Sequence, residues 1–166
     1  MKKGKFDNTK KGGFLDTLAI YSLDNGTITD RCKFNFSYFD NSQEAGQDFN
    51  DWTHPELVKL LEKLKNYSTA SLDYWRNKRA GGGGLKILEI YGGFPKRSTF
   101  THPKHVPHDV QWARFRMENL ARLVGFVVPK GIKCADGVVL KEPFDCNTFY
   151  VVFLDKEHKF YVTEER

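Results

Sequence analysis

The stretch VQWARFRMENLARLVGFVV, residues 110–128, contains two successive strand patterns and decides the fold class. The side chains of its first half alternate between two faces: Trp112, Arg114 and Arg116 against Ala113, Phe115 and Met117. Such a two-residue period is the signal of a strand in a sheet. The second half is apolar except for Arg122, as in a strand buried on both faces.

Further strand and helix patterns surround this stretch. Alternating or apolar segments predict three more strands: CKFNFSYF (32–39), LKILEIY (85–91) and TFYVVFLD (148–155). A helix is predicted over residues 53–68, because Thr53 and Glu56 fit a capping box and leucines recur at helical spacing. A second short helix follows in TASLDYWRNKR.

This order predicts the architecture. A strand, two helices and a run of consecutive strands indicate an α+β fold, with two short helices packed on one face of an antiparallel sheet. The other face is expected to stay open to solvent or a ligand. We expect a flexible basic segment at residues 1–13 and a single domain over residues 14–166, with AGGGG (80–84) as a mobile glycine-rich loop. KFYV (159–162) is a possible further strand after TFYVVFLD.

Composition excludes several classes of protein. No apolar run approaches the roughly 20 residues that cross a bilayer, and no apolar segment of signal-peptide length follows the basic start. We therefore expect a cytoplasmic protein without a membrane partner. Cys32, Cys134 and Cys146 are dispersed, which favours reduced thiols over a zinc site or disulfide framework. We expect no metal and no cofactor.

Positive charge is concentrated in two segments of a chain whose net charge is +5. Residues 1–11 hold five lysines and one aspartate, and residues 96–122 hold six basic and two acidic residues. This pattern favours a polyanionic partner, most simply nucleic acid. We expect a base to stack on Trp112 and phosphates to contact Arg114, Lys96, Arg97, Lys104, Lys156 and Lys159. The alternative is an ordinary sheet face whose arginines pair with Glu89 or Glu118.

Other side chains suggest chemistry. A charge inside the apolar LARLVGFVV must reach water, an acid or a ligand, so Arg122 is a candidate site residue. We expect Arg114, Arg116 and Arg122 to lie on or beside one exposed, positive sheet surface. His158 is either a turn residue or a proton donor, since its pKa is expected near the reference of about 6.5. His102, His105 and His108 lie in a proline-broken segment, which favours a flexible loop over a binding face rather than a metal site.

The order strand, two helices, RFR, ARLVGFVV and FYVVFLDKEHKFY resembles the RelE/ParE-type toxin family, over roughly residues 32–79 and 111–161. The resemblance implies a RelE-like fold. For the RNA-cleaving branch it implies a metal-independent endoribonuclease, the toxin of a toxin–antitoxin or related defence system. The implied partners are RNA, free or on the ribosome, and an antitoxin protein.

The same resemblance implies roles for single residues. The 2′-hydroxyl of RNA attacks its own phosphate, Arg122 and Arg116 stabilise the developing charge, and His158 is the general acid. Tyr161 orients or stacks on a base. The general base is left open between a histidine of residues 102–108 and Lys156. The alternative function is a non-catalytic module that binds nucleic acid or protein through the same basic sheet face.

Overall fold

The element order matches the prediction, in a computed structural model that describes residues 28–118, 120–130 and 145–162. The elements are β1 (Lys33–Asn35), α1 (His54–Tyr67), α2 (Leu72–Asn77), β2 (Arg79–Ala80), β3 (Leu85–Lys86), β4 (Leu88–Gly92), β5 (Gln111–Arg116), β6 (Arg122–Val127) and β7 (Thr148–Asp155). The predicted basic segment at residues 1–13 and Cys134 lie outside the described residues. No helix in the described ranges has the length and apolarity to span a bilayer.

The main sheet has five strands in the order β1-β7-β6-β5-β4. Strands β4 to β7 form an antiparallel meander, but β1 runs parallel to β7, with Phe34 opposite Phe149. The expectation of a purely antiparallel sheet is therefore wrong. Between β1 and β7 the chain forms both helices and strands β2 to β6, a connection long enough for parallel pairing, which a short hairpin cannot provide.

The two helices pack on one face of this sheet, which we call the helix face. Helix α1 begins with the predicted capping box, in which the Glu56 carboxylate accepts hydrogen bonds from the backbone N–H and Oγ1 of Thr53. At the other end of α1, the Tyr67 ring stacks on Phe115 with 4.6 Å between ring centroids. The indole N–H of Trp75 in α2 donates to the carbonyl of Tyr67 at 2.7 Å. The helix face is thus a closed hydrophobic core.

The opposite face holds a second core, contrary to the expectation of an open face. Residues 93–110, here called the cover loop, lie over this face and contribute Phe100 and Val106 to the core. Trp112, Phe153 and Phe160 belong to the same core, and Trp112 is only 1% exposed. The glycines, prolines and histidines of the cover loop indicated irregular structure correctly. They did not indicate that its apolar side chains pack into a core on this face of the sheet.

A glycine is required where β6 and β7 come closest. A Cβ atom at Gly125 would lie 2.0 Å from the carbonyl oxygen of Tyr150, a distance that no real contact allows. The β6–β7 ladder shifts register between Val124 and Gly125 at the same place. The bulge and the glycine together allow the backbones of β6 and β7 to approach each other closely. Beyond the bulge, the side chains of both strands still alternate between the two faces of the sheet.

The local details of three predicted segments differ from the structure. In AGGGG, Ala80 ends β2 and the four glycines form the turn of a small β2–β3 hairpin, in which Gly81 and Gly84 have φ of 62° and 73°. LKILEIY divides into β3 and β4, which pair with different strands. Residues 159–162 form no strand, because the backbone N–H of Phe160 turns back to a side chain of β7.

Candidate functional site

Three arginines share the sheet face opposite the helices. Arg114 and Arg116 alternate along β5, and Arg122 is the register partner of Arg116 on β6. We call these three residues the arginine cluster. The prediction that they share one face is confirmed, but the prediction that this face is exposed is wrong. Arg114 and Arg122 are 8% and 4% exposed, because Tyr91 and the chain that follows β7 pack at this end of the sheet.

Arg114 is anchored by two residues of β4. Its Nη2 donates to Glu89 Oε2 at 2.7 Å, and its Nε donates to the Tyr91 hydroxyl at 2.5 Å. Among the described residues, the buried Nη1 of Arg114 and Nε of Arg116 have no hydrogen-bond partner. An unsatisfied buried donor is costly, so both N–H groups are suited to an oxyanion of a ligand.

The electrostatics of the cluster favour an anion. The pKa of Arg122 is lowered to about 10, mainly by burial and in addition by the charges of Arg114 and Arg116. The opposing effects of Tyr91 and Asp155 are smaller. The charged form of the Arg122 guanidinium is disfavoured in this way. A bound phosphate would stabilise it, because the negative charge of the phosphate offsets the neighbouring positive charges.

His158 lies in the loop that follows β7, and the charges of the arginine cluster act on it. Burial lowers its pKa, and the charges of Arg122, Arg114 and Arg116 add to the decrease against the opposite effect of Asp155. The expectation that the pKa stays near 6.5 is therefore wrong, because burial and the arginine charges on other strands lower it. His158 also has a φ of 60°, a left-handed conformation that is uncommon outside glycine.

Two tyrosines form the rim of the site. The rings of Tyr91 and Tyr161 stack with centroids 4.9 Å apart and an interplanar angle of 3°. Tyr161 is 41% exposed, so one face of this stack is open to solvent. This geometry fits the predicted role of Tyr161 as a surface on which a base stacks.

Sequence reasoning missed Glu89 and Tyr91 as site residues. The signal was present, because the alternation in LKILEIY places both on the same side of a strand. What was not visible is that this side faces the arginine cluster, which depends on the pairing of Glu89 with Arg114 across β4 and β5. The alternative interpretation, in which an arginine pairs with Glu89, is correct for Arg114.

Several predicted nucleic-acid contacts lie elsewhere. Trp112 is enclosed in the second core, so its ring is not available to a base in this structure. Lys156 points to the helix side, where its Nζ binds Glu56 Oε2 and the carbonyl of Asp51 at 2.9 Å each. It is therefore removed from the cluster as a general base. Lys159 pairs with Glu157 at 2.5 Å. The remaining three predicted contacts are exposed on the cover loop: Lys96, Arg97 and Lys104.

The three loop histidines do not converge. His102 stacks on His108 with centroids 4.4 Å apart, whereas His105 Nε2 lies 3.1 Å from the carbonyl oxygen of Tyr38. In the described ranges, no three His, Cys, Asp or Glu side chains come together as a metal-binding group. None of these histidines has a contact with the arginine cluster that would make it the general base of that site.

Comparisons of the chain with protein-family models, curated proteins and solved structures found no match. The site must therefore be interpreted from its own geometry.

Proposed function

We propose that the protein is a metal-independent endoribonuclease, the toxin of a toxin–antitoxin or related defence system. The observation that carries the proposal is the row of Arg116, Arg122 and Asp155 across the sheet, from whose end the loop with His158 begins. Beside this row, Arg114 and Arg116 have buried donors without a partner in the described structure. This combination suits a phosphodiester, because guanidinium groups bind its oxygens and a histidine can transfer a proton during its cleavage. The element order, a strand, two helices and a meander, agrees with a RelE-like fold.

The cleavage step follows from the residues of the cluster. The Glu89 carboxylate accepts the proton of the RNA 2′-hydroxyl, and the 2′-oxygen forms a bond to the adjacent phosphorus. The bond from phosphorus to the 5′-oxygen breaks, and protonated His158 gives its proton to that oxygen. The products are a 2′,3′-cyclic phosphate and a 5′-hydroxyl. Arg116 and Arg122 stabilise the charge that develops on the phosphoryl oxygens.

Glu89 is preferred as the base over the earlier candidates because of its position. It is bonded to Arg114 inside the cluster, and its side chain is 25% exposed and thus accessible to a ligand. Lys156 and the loop histidines have contacts that direct them elsewhere. A base stacked on Tyr161 would hold a single-stranded substrate next to the phosphate site.

The proposed enzyme acts on RNA in the cytoplasm and has a protein partner. The substrate is RNA, free or on the ribosome, and a cytoplasmic antitoxin protein controls the activity. The exposed basic residues of the cover loop, Lys96, Arg97 and Lys104, are suited to sequence-independent contacts with the RNA backbone.

The decisive experiment is incubation of the purified protein with RNA, with and without EDTA and with and without ribosomes. We expect cleavage that EDTA does not inhibit and products that end in 2′,3′-cyclic phosphate and 5′-hydroxyl. The His158→Ala variant is the matched control for a contaminating nuclease. If the parent protein cleaves no RNA under any of these conditions, the ribonuclease proposal is wrong.

A second candidate function is a binding module without catalysis. It is favoured by one observation, the ion pair of Arg114 with Glu89, which already neutralises one of the three arginines. In this case the protein binds RNA, DNA or a protein through the same end of the sheet and leaves RNA intact. Binding of labelled RNA that is not cleaved, and that weakens when Arg122 is changed, would support this function.

A further inference from the structure

A buried carboxylate organises the loop that carries His158. Asp155 is the last residue of β7 and is 0% exposed. Its Oδ1 accepts the backbone N–H of Lys159 at 2.9 Å and of Glu157 at 3.3 Å, and its Oδ2 accepts the N–H of Phe160 at 2.9 Å. One side chain therefore binds three backbone donors within the next five residues. We call residues 156–160 the His158 loop.

These bonds fix the backbone on both sides of the histidine. Glu157 and Lys159, the two neighbours of His158, are both held by the same oxygen of Asp155. Between them, His158 adopts its left-handed conformation with a φ of 60°. A non-glycine residue keeps such a conformation only where its surroundings impose it. Phe160, which is 1% exposed in the second core, anchors the end of the loop.

Asp155 is also tied to the arginine cluster by the sheet. It is the register partner of Arg122 on β6, and Arg122 is the partner of Arg116 on β5. The three residues form one row across the sheet, and the His158 loop begins at the end of that row. The direction in which His158 leaves β7 is thus set from the same place that holds two of the arginines.

We propose that Asp155 is a positioning residue, which fixes the His158 loop so that the imidazole stands over the arginine cluster. This role rests on the ribonuclease proposed above, in which His158 is the general acid. Asp155 itself contacts neither substrate nor reacting atoms, since its oxygens are occupied by backbone N–H groups. The charge of the carboxylate also favours the imidazolium, against the opposite effect of the three arginines.

The charged groups that act on His158 come from four parts of the chain. Arg114 and Arg116 on β5 and Arg122 on β6 disfavour the imidazolium, whereas Asp155 on β7 favours it. Within the His158 loop itself, Glu157 and Lys159 form an ion pair with each other. Removal of the Asp155 charge is therefore expected to lower the pKa of His158 below its value in the parent protein.

The test compares Asp155→Asn with Asp145→Asn. Asp145 caps the turn at the opposite end of β7, where it accepts the N–H of Asn147 at 2.8 Å and pairs with Lys33 at 2.7 Å. The two variants thus remove the same charge from two turn-capping aspartates, one that precedes β7 and one at its last residue. We expect Asp155→Asn to shift the His158 ring titration to lower pH in an NMR experiment, and Asp145→Asn to leave it unchanged. An unshifted titration in a folded Asp155→Asn variant overturns the proposal.

Kinetics provide the second measurement. We expect kcat of the Asp155→Asn variant to fall by roughly 10²-fold, which is the cost of a catalytic group displaced by about 1 Å, while KM for RNA stays unchanged. The alkaline limb of its pH profile should move to lower pH. A fall in kcat without this movement would assign Asp155 a purely structural role and contradict the proposal.

The two proposals can fail separately. The NMR titration needs no RNA, so a shifted titration in a protein that cleaves nothing supports the role of Asp155 in placing His158 and overturns only the ribonuclease. If Asp155→Asn does not fold, amide hydrogen exchange in the parent protein tests whether Asp155 fixes the His158 loop. The amides of Lys159 and Phe160 should then be protected, and exchange as fast as in an open loop would overturn the proposal.

Discussion

Arg116 and Arg122 face each other as direct register partners on β5 and β6, on the sheet face away from the helices. Like charges directly opposite on neighbouring strands destabilise a sheet. The fold accepts this pair although Arg122 is almost fully buried and its pKa is lowered to about 10. Two arginines in this arrangement lower the stability of the folded protein. Such a local loss of stability is common at sites that bind a ligand of opposite charge.

The first prediction concerns the stability of the Arg122→Met variant. Replacement by an apolar side chain of similar length removes a buried charge from a cationic neighbourhood. We expect the free energy of unfolding, measured with urea, to stay the same or to rise. RNA cleavage should fall by roughly 10²–10³-fold, the usual effect of losing one donor to a developing oxyanion. Arg79→Met in the small hairpin is the control, and a strongly destabilised Arg122→Met that cleaves normally would contradict the prediction.

The second prediction concerns His158 as an acid. The His158→Ala variant should lose cleavage by roughly 10²–10⁴-fold and retain RNA binding, since the arginines provide the phosphate contacts. In the parent, kcat/KM should decline as pH rises through a pKa below the ordinary value of about 6.5, because only the imidazolium can donate. His54→Ala, at the exposed start of α1, should change neither quantity.

The lowered pKa of His158 also predicts the pH dependence of stability. Between its pKa in the folded protein and about 6.5, the unfolded chain binds more protons than the folded protein. The free energy of unfolding should therefore rise as pH increases through this window. Urea titrations at several pH values should show this rise in the parent and a smaller rise in His158→Ala. Equal pH dependence in both proteins would show that the histidine is not perturbed in solution.

The third prediction tests Glu89 as the base. We expect Glu89→Gln to lose the acid limb of the pH profile, because the amide has no carboxylate that must be deprotonated. Added formate should partly restore cleavage by a Glu89→Ala variant, which a purely structural role for Glu89 would not allow. Glu118→Gln is the matched control, since Glu118 pairs with Lys59 at 3.1 Å on the surface. If the pH profile of cleavage is unaltered in Glu89→Gln, Glu89 is not the general base and another residue has this role.

The fourth prediction concerns Gly125. We expect Gly125→Ala to destabilise the protein by at least about 1–3 kcal/mol, because the methyl group would overlap the backbone of Tyr150. Gly93→Ala provides the comparison, as a Cβ atom at that position meets nothing within 4 Å. Chemical denaturation of both variants measures the difference. Equal stability of the two variants would mean that β6 and β7 are further apart than the structure shows.

Local sequence patterns were sufficient for the order of elements and for the faces of single strands. The alternation in residues 110–117 placed Arg114 and Arg116 on one side correctly, since side-chain direction in a strand depends only on position. The capping box of α1 was equally local. The mixed sheet was not predicted, because the pairing of Phe34 with Phe149 joins distant parts of the chain.

The candidate site shows the same division. Lys156 and His158 are two positions apart in sequence, yet Lys156 lies against Glu56 on the helix side while His158 faces the arginines. The separation follows from the bonds of Asp155 to the loop and from those of Lys156 to Gln47 and Glu56, and the spacing of residues along the sequence does not reveal them. The burial of Trp112 depends on Phe100 and Val106 of the cover loop, whose contacts form after the chain has folded over the sheet.

The β2–β3 hairpin has a consequence for how this chain can be extended. A Cβ atom added at any of its four glycines, Gly81, Gly82, Gly83 or Gly84, would meet no other atom within 4 Å. Within the described part of the chain, β2 and β3 pair with each other in a two-stranded sheet, separate from the strands that carry the arginines. A peptide tag or a fluorescent protein inserted between Gly82 and Gly83 should therefore leave the five-stranded sheet intact, since exposed tips without packing tolerate insertion. The turn is therefore a site at which the folded protein can be labelled without contact to the arginine cluster or the His158 loop.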